Sequence, residues 1–172
     1  MTKLIVLMGV MGSGKTTVSQ ELEKQGFVHF GIDHFYQKAK FKRNYDIKTW
    51  YKDEEYCITA YDLMLEDVLE RLKYSNVIFE FTGASKHGIK VFKELEQGNF
   101  GFYPIFIDVP FEIICERIKL RNASDWPVKN TEEDLHETIR LIDKLKPRID
   151  YHVNGDQGTS YIVQEISDIV NK

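Results

Sequence analysis

The chain has 172 residues, of which 42% are hydrophobic and 29% are charged, a composition that excludes an intrinsically disordered protein. Lys and Arg number 23 and Asp and Glu number 27, so the net charge is −4. This acidic balance argues against a protein that binds nucleic acid through bulk electrostatics. The length predicts a single domain over residues 1–172.

The cysteines and the apolar segments predict a cytoplasmic protein. Cys57 and Cys115 fit neither a disulfide framework nor a zinc motif, which indicates a reducing compartment. The apolar run 4–8 is too short for the core of a signal peptide. No window approaches the roughly 20 apolar residues of a membrane span, so we expect no membrane partner.

Apolar runs of strand length alternate with segments of helical period along the chain. Five strands are predicted, at residues 3–8, 27–32, 77–82, 102–109 and 149–153. Helices are predicted at residues 14–25, 61–72, 85–97, 110–121, from 131 to about 147, and from about 160. Residues 34–60 are rich in lysine and aromatic side chains and show no clean period. The alternation predicts an α/β fold with right-handed crossovers, a parallel sheet and helices on both of its faces.

The first strand leads into a phosphate-binding motif. Gly9-Val-Met-Gly-Ser-Gly-Lys-Thr16 fits G-x-x-x-x-G-K-[ST] in full and sits between a strand and a helix, the context that the motif requires. Glycines let backbone N–H groups surround phosphate oxygens, and the helix N-terminus adds the positive end of its dipole. The predicted nucleotide-binding residues here are Gly9, Val10, Met11, Gly12, Ser13, Gly14, Lys15, Thr16 and Thr17. Lys15 is expected to bind the β- and γ-phosphates of ATP, and Thr16 a Mg²⁺ ion.

Polar residues at the carboxyl ends of the second and third strands are candidates for binding the second substrate, because ligands of such sheets bind at that edge. Asp33 is predicted to end the second strand and to act as a base, or else to cap the following helix. Glu80, a lone charge in an apolar strand, either binds acceptor or metal-associated water, or forms an ion pair with a covering helix. Thr82 and Gly83 are predicted to contact the acceptor.

These segments resemble the P-loop kinases of the nucleoside-monophosphate-kinase-like group, which includes gluconate, shikimate and chloramphenicol phosphotransferases and polynucleotide kinase. The resemblance is carried by the P-loop, by Phe30-Gly-Ile-Asp33 and by Glu116-Arg-Ile-Lys-Leu-Arg121. It implies a three-layer P-loop NTPase fold with strand order 2-3-1-4-5 and a small lid at about 121–131. It also implies that residues at about 34–75 form the region that binds the acceptor.

The resemblance also implies roles for particular side chains. Asp33 would orient the acceptor hydroxyl and take its proton, Arg117 would pack on adenine, and Arg121 would bind the transferring phosphates. Asn154-Gly155-Asp156 is similar to the loop that borders adenine in this group. The five histidines show no metal-ligand spacing and are predicted to be surface or packing residues.

The sequence therefore predicts a kinase that uses ATP and Mg²⁺ to phosphorylate a hydroxyl-bearing small molecule, as a monomer or homodimer. A nucleotide switch is the alternative, because Glu80-Phe-Thr-Gly83 resembles the Asp-x-x-Gly motif, although the base-reading Asn-Lys-x-Asp motif is missing. A 5′-hydroxyl nucleic-acid kinase is a further alternative, suggested by the basic residues Lys38, Lys40, Lys42 and Arg43. Nucleoside-monophosphate kinases and strict shikimate kinases are disfavoured, because Asp-Gly-x-Pro-Arg and the triple glycine are absent after the third strand.

Overall fold

The structure, a computed structural model, describes residues 1–43, 53–124 and 130–172, with the side chains of 41–43 left out. The strands are β1 (Lys3–Met8), β2 (Val28–Gly31), β3 (Val77–Phe81), β4 (Gly101–Asp108) and β5 (Tyr151–Asn154). The helices are α1 (Lys15–Glu23), α2 (Ile32–Arg43), α3 (Glu54–Leu72), α4 (Lys86–Glu96), α5 (Phe111–Ala123), α6 (Glu132–Ile142) and α7 (Thr159–Val170), with a short 3₁₀ helix at Lys146–Arg148.

The described strands form one parallel sheet in the order β2-β3-β1-β4-β5. This result confirms the predicted fold class and strand order. The central strand β1 is fully buried from Leu4 to Met8, as expected for a strand covered on both faces. Helix α1 packs against α7, and α3 packs against α4. Right-handed crossovers in this strand order put those two pairs on opposite faces of the sheet.

The largest difference from the sequence prediction lies in the aromatic region after β2. Helix α2 occupies 32–43, and α3 begins at Glu54 rather than near residue 61. Phe35 and Ala39 of α2 and Tyr56 and Ala60 of α3 are almost completely buried. The two helices pack against each other, so tertiary contacts stabilise segments whose sequence shows no clean period. The rest of this region, residues 44–52, lies outside the described residues.

Two further boundaries differ from the prediction. The second strand ends at Gly31, so Asp33 lies inside the first turn of α2 rather than at the end of a strand or in the N-cap position. The helix that follows Thr131 ends at Ile142 instead of near residue 147. Its start is as predicted, because the Thr131 hydroxyl and the Asp134 carboxylate form a reciprocal capping box.

Among the described residues, no helix is both long enough and apolar enough to cross a membrane.

Candidate functional site

The loop between β1 and α1 has the conformation of a phosphate cradle. Gly12 and Gly14 have φ angles of +81° and +92°, which L side chains rarely adopt. A Cβ added at Gly12 would lie 3.3 Å from Ile118 Cγ1, whereas one at Gly14 would meet no described atom within 4 Å. Backbone conformation therefore requires glycine at both positions, and close packing against α5 adds to that requirement at Gly12.

Lys15, the first residue of α1, reaches back over this loop. Its Nζ donates hydrogen bonds to the carbonyl oxygens of Gly9, at 2.9 Å, and Val10, at 3.0 Å. Burial lowers the pKa of Lys15 to about 8, against the opposing influence of Glu80 and Asp33 and with a further lowering by Arg121. The ammonium group is thus partly desolvated and is held where a phosphate chain would lie. Thr17, in the first turn of the helix, is exposed.

The carboxylate of Glu80 is buried behind the P-loop and has several partners. Its Oε1 accepts a hydrogen bond from Thr16 Oγ1 at 2.9 Å, and its Oε2 accepts one from Ser19 Oγ at 3.4 Å. His29 Nε2 lies 3.3 Å from Oε1. Burial by itself would raise the pKa of Glu80, but His29, Lys15 and Thr16 outweigh it and hold the pKa below its usual value. The covering helix α1 supplies the hydrogen bonds to Glu80 and the charge of Lys15, whereas the ionisable side chain at ion-pair distance is His29 of the neighbouring strand β2.

Asp33 lies across the cleft from the P-loop, in the first turn of α2. Its side chain is open to solvent, yet the cleft surrounds it closely enough that desolvation raises its pKa, and Glu80 raises it further. Arg121 and Lys15 act in the opposite direction. Glu80 and Arg121, which come from separate segments, therefore lie close enough to Lys15 and Asp33 to influence the pKa values of both.

Thr82 and Gly83 follow β3 at the same edge of the sheet. The Thr82 hydroxyl accepts a hydrogen bond from the Ala84 N–H at 3.4 Å. Gly83 is buried with φ at +86°, and a Cβ there would lie 3.4 Å from Leu145 Cδ2. Gly83 thus lets the chain turn beneath the segment that follows α6.

Arg117 connects two loops at the other end of the P-loop. Its Nη1 donates to the Gly12 carbonyl oxygen and its Nη2 to the Gly155 carbonyl oxygen, each at 3.3 Å. The adjacent Asn154 accepts a hydrogen bond from the Asp156 N–H at 2.9 Å. Two residues that the resemblance assigned to the adenine side, Arg117 and Asn154, are therefore brought to the same place by α5 and the β5–α7 loop.

The predicted lid begins at the end of α5, next to Arg121. Asn122 Nδ2 donates to the Asn130 carbonyl oxygen at 2.6 Å, and the Asn130 N–H donates to Asn122 Oδ1 at 3.1 Å. These reciprocal bonds join the two ends of the segment. Residues 125–129, the middle of the predicted lid, lie outside the described residues.

Tyrosine side chains of α2 and α3 lie near Asp33. Tyr36, one helical turn after Asp33, has its hydroxyl 3.9 Å from Cys57 Sγ and its ring centroid 6.3 Å from that of Tyr61. Burial raises the pKa of both tyrosines, that of Tyr61 to about 12. The spacing of Asp33 and Tyr36 places both on one helix face, but this could be recognised in the sequence only once α2 was known to be helical.

The oxygen atoms at Thr16 and Glu80 suit a hard divalent cation. Mg²⁺ is usually bound by one or two protein oxygens together with substrate phosphates and water, and a hydroxyl 2.9 Å from a buried carboxylate beside the P-loop provides such a set. In the described part of the chain, no group of three or more His, Cys, Asp or Glu side chains could hold a metal by itself. The residues present therefore fit a Mg²⁺ ion that arrives with a nucleotide.

Sequence reasoning missed His29 and Ser19 as part of this site. Nothing in their local sequence marks them, since each acts on Glu80 from a different element. Only the pairing of β2 with β3, and the packing of α1 against β3, bring them to the carboxylate.

Solved structures with the same fold include several kinases. A sugar kinase from Janibacter sp. HTCC2649 superposes with a TM-score of 0.71 at 17% identity, covering 99% of this chain and 95% of that one. A shikimate kinase from Aquifex aeolicus vf5 gives 0.65 at 23% identity, covering 98% and 96%. A gluconokinase from Sinorhizobium meliloti 1021 gives 0.60 at 20% identity, covering 98% and 91%.

The comparison at sequence level gives the family. A search of curated protein sequences finds no significant match. The AAA domain family matches residues 5–140, which include the P-loop, both candidate carboxylates and the two arginines of α5. The resemblance to P-loop kinases is confirmed at the level of the fold. The chain belongs to the AAA domain family and has the fold of the P-loop kinases.

Proposed function

We propose that this protein is a kinase that transfers the γ-phosphoryl group of ATP to a hydroxyl group of a small molecule, with Mg²⁺. The observation that carries this proposal is the convergence of Lys15, Asp33, Glu80 and Arg121 near the carboxyl edge of the sheet, close enough that the other three groups act on the pKa of the solvent-exposed Asp33. The fold of sugar, shikimate and gluconate kinases supports it. Each of those kinases is named for an acceptor that carries hydroxyl groups.

Asp33 is the group we assign to the acceptor. Its carboxylate accepts the proton of the acceptor hydroxyl as that oxygen forms a bond to the γ-phosphorus, and the bond from phosphorus to the β–γ bridging oxygen breaks to release ADP. A raised pKa makes Asp33 a stronger base than an ordinary aspartate. Lys15 and Arg121 neutralise negative charge that builds up on the phosphoryl oxygens.

The nucleotide is assigned to the P-loop and to the surface between α5 and the β5–α7 loop. Backbone N–H groups of residues 9–17 hold the phosphates, and Arg117 and Asn154 border the base. Thr16 would supply one ligand oxygen to Mg²⁺, which, when bound, screens charge on the β- and γ-phosphates. We assign Glu80 to the hydration shell of that ion rather than to the acceptor, because its carboxylate contacts Thr16.

The acceptor pocket is assigned to the region 34–75 and to Thr82 and Gly83, within a single domain that includes a lid at 121–131. Location in the cytoplasm and a monomeric or homodimeric state remain predictions. A nucleic-acid acceptor is disfavoured by the net charge of −4. Lys38, one of the four clustered basic residues, already pairs with Asp67 at 2.6 Å.

A nucleotide switch is the second candidate function. The observation in its favour is that Glu80-Phe-Thr-Gly83 follows β3 next to the P-loop and that Glu80 bonds Thr16, as the acidic residue of a switch motif would. A switch would select GTP over ATP and change partner binding with the nucleotide. A kinase would use ATP and turn it over slowly until an acceptor enters the cleft.

The test is a coupled assay of ADP release over sugars, sugar acids, nucleosides, aminoglycoside and phenicol antibiotics and short 5′-hydroxyl oligonucleotides. We expect ADP release well above the basal rate with at least one small molecule, together with its phosphorylated product by mass spectrometry. Selectivity for GTP, with no acceptor in the panel phosphorylated, would favour the switch. Phosphorylation of the oligonucleotides alone would favour the nucleic-acid kinase.

A further inference from the structure

The position of the Glu80 carboxylate depends on a gap in the neighbouring strand. Gly31 of β2 is the register partner of Glu80 in β3. A Cβ added at Gly31 would lie 3.0 Å from Glu80 Oε1 and 3.6 Å from Glu80 Cγ. The distance to Cγ is an ordinary contact, but the distance to Oε1 is tight enough that the carboxylate would have to shift by a few tenths of an ångström. A side chain at position 31 would therefore crowd the carboxylate where it contacts Thr16.

The same strand also supplies a side chain that approaches the carboxylate. His29 lies two residues before Gly31, so both are on the same face of β2. Its Nε2 is 3.3 Å from Glu80 Oε1, and the two side chains are only 14% and 11% exposed. Ser19 contacts the second carboxylate oxygen. Thr16 and Ser19 thus donate hydrogen bonds to Oε1 and Oε2, and His29 Nε2 lies within ion-pair distance of Oε1 without hydrogen-bond geometry to it.

These contacts offset the free-energy cost of burying and ordering the carboxylate. A glutamate has three rotatable side-chain bonds, and a buried carboxylate is unfavourable without hydrogen-bonding or charged partners. Groups that orient metal-associated carboxylates usually alter metal affinity or activity by about 10–100-fold when they are removed. His29 is the partner that comes from outside the P-loop and its helix, and so can hold Glu80 independently of them.

We infer that His29 and Gly31 are positioning residues that hold the Glu80 carboxylate against Thr16, so that the Mg²⁺-dependent part of ATP binding is built across strands β2 and β3. His29 acts only through Glu80, and Gly31 acts by leaving room for it. The inference rests on the proposed function, since it concerns the metal side of the same nucleotide site. According to this inference, strand β2 contributes to Mg²⁺-dependent ATP binding together with the P-loop and β3.

The first experiment measures ATP affinity by calorimetry, once with Mg²⁺ and once with EDTA. His29→Leu keeps much of the side-chain volume but removes the polar nitrogen, and we expect it to weaken ATP binding about 10–100-fold with Mg²⁺ and less than about threefold in EDTA. His29→Gln restores a polar nitrogen near the carboxylate and should recover most of the loss. His136→Leu, a change at an exposed histidine of α6, is the matched control and should have no effect.

The second experiment asks whether His29 acts through Glu80. In a double-mutant cycle, His29→Leu should change Mg²⁺-dependent affinity no further once Glu80→Gln is present. Gly31→Ala, which leaves His29 intact, should lower the same affinity by crowding the carboxylate. If His29→Leu does not fold, Gly31→Ala carries the test, because it leaves the imidazole in place and is expected to lower Mg²⁺-dependent affinity by itself.

Three results would overturn the inference. These are equal losses with Mg²⁺ and with EDTA, full additivity with Glu80→Gln, and unchanged Mg²⁺-dependent affinity in Gly31→Ala. A wild-type protein that binds no ATP under either condition would instead refute the proposed function, and the inference with it. The failure of the inference alone is therefore recognisable by normal ATP binding in the wild-type protein.

Discussion

Asp33 combines two properties that seldom occur together. It is exposed to solvent at the mouth of the cleft, yet desolvation and the nearby Glu80 raise its pKa. Because a raised pKa means that the ionised form is disfavoured in the folded protein, the charge contributes nothing favourable to stability at neutral pH. A charge that is kept despite this is expected at a site where it does chemistry.

Replacing Asp33 with Asn should separate catalysis from stability. Asp33→Asn removes the base and leaves the shape, so kcat should fall by about 10²–10⁴-fold, while the affinity for ATP stays within about threefold. The midpoint of thermal unfolding should stay equal or rise, because a disfavoured charge is removed. Steady-state kinetics with the acceptor and a melting curve check both parts. A kcat near that of the wild type would exclude Asp33 as the base.

At alkaline pH, ATP binding should be accompanied by the uptake of a proton at Lys15. Burial lowers its pKa to about 8, so the ammonium is charged at lower pH and loses its proton as pH rises through 8. Phosphate oxygens favour the charged form, and binding above pH 8 must therefore return the proton. Calorimetry with EDTA, in buffers of different ionisation enthalpy, should show little uptake at pH 7 and close to one proton at pH 9.

Replacing Lys15 with arginine provides the control for that experiment. Lys15→Arg stays protonated throughout this pH range, so any uptake that it shows comes from other groups. Equal proton uptake by the wild-type protein at pH 7 and pH 9 would contradict the lowered pKa of Lys15.

At the scale of elements, α5 holds together two loops that are far apart in the sequence. Arg117 bonds the carbonyl oxygens of Gly12 in the P-loop and Gly155 after β5, and a Cβ at Gly12 would contact Ile118 of the same helix. Hydrogen bonds from a charged group are worth about 1.5–3 kcal/mol at good geometry and less at 3.3 Å. The nucleotide site therefore depends on how α5 packs as well as on the P-loop sequence.

Removing the Arg117 side chain should weaken the binding even of a ligand that lacks a nucleobase. Arg117→Ala should lower the affinity for inorganic tripolyphosphate about tenfold, equivalent to about 1.4 kcal/mol, because the P-loop loses a support. The loss for ATP should be larger, since the proposed stacking partner of adenine is removed as well. Titration calorimetry with both ligands measures the two effects. Lys119→Ala, an exposed position of the same helix, is the control, and unchanged tripolyphosphate binding would show that Arg117 supports no loop.

For the whole molecule, nucleotide binding should stabilise the fold, because the P-loop extends from the central strand β1. At ATP concentrations about 100 times Kd, binding adds about 2.7 kcal/mol to the free energy of unfolding, which for a chain of this size corresponds to a rise in Tm of roughly 5–10 °C. Differential scanning fluorimetry with Mg²⁺ and ATP measures the shift. Lys15→Ala should abolish most of it, and an equal shift in that variant would place ATP elsewhere.

Several features of this protein could be predicted from the sequence because they depend on residues that are close together in the chain. The P-loop is one, since its glycine conformations, Lys15 and Thr16 all lie within residues 9–16. The buried strands are another, because β1 and β3 are covered on both faces and read as continuous apolar runs. The cap at Thr131 depends on residues three apart.

The tertiary structure alone decided the surroundings of the two carboxylates. Glu80 meets Thr16 and Ser19 across 64 and 61 positions of sequence, and it meets His29 only because β2 pairs with β3 in the observed register. Asp33 belongs to α2, whose buried face packs against α3. The sequence around Asp33 therefore showed no helical period from which this helix could be predicted. Local conformation follows from the sizes and dihedral preferences of neighbouring residues, whereas the environment of a buried charge is set by which distant segments the sheet brings beside it.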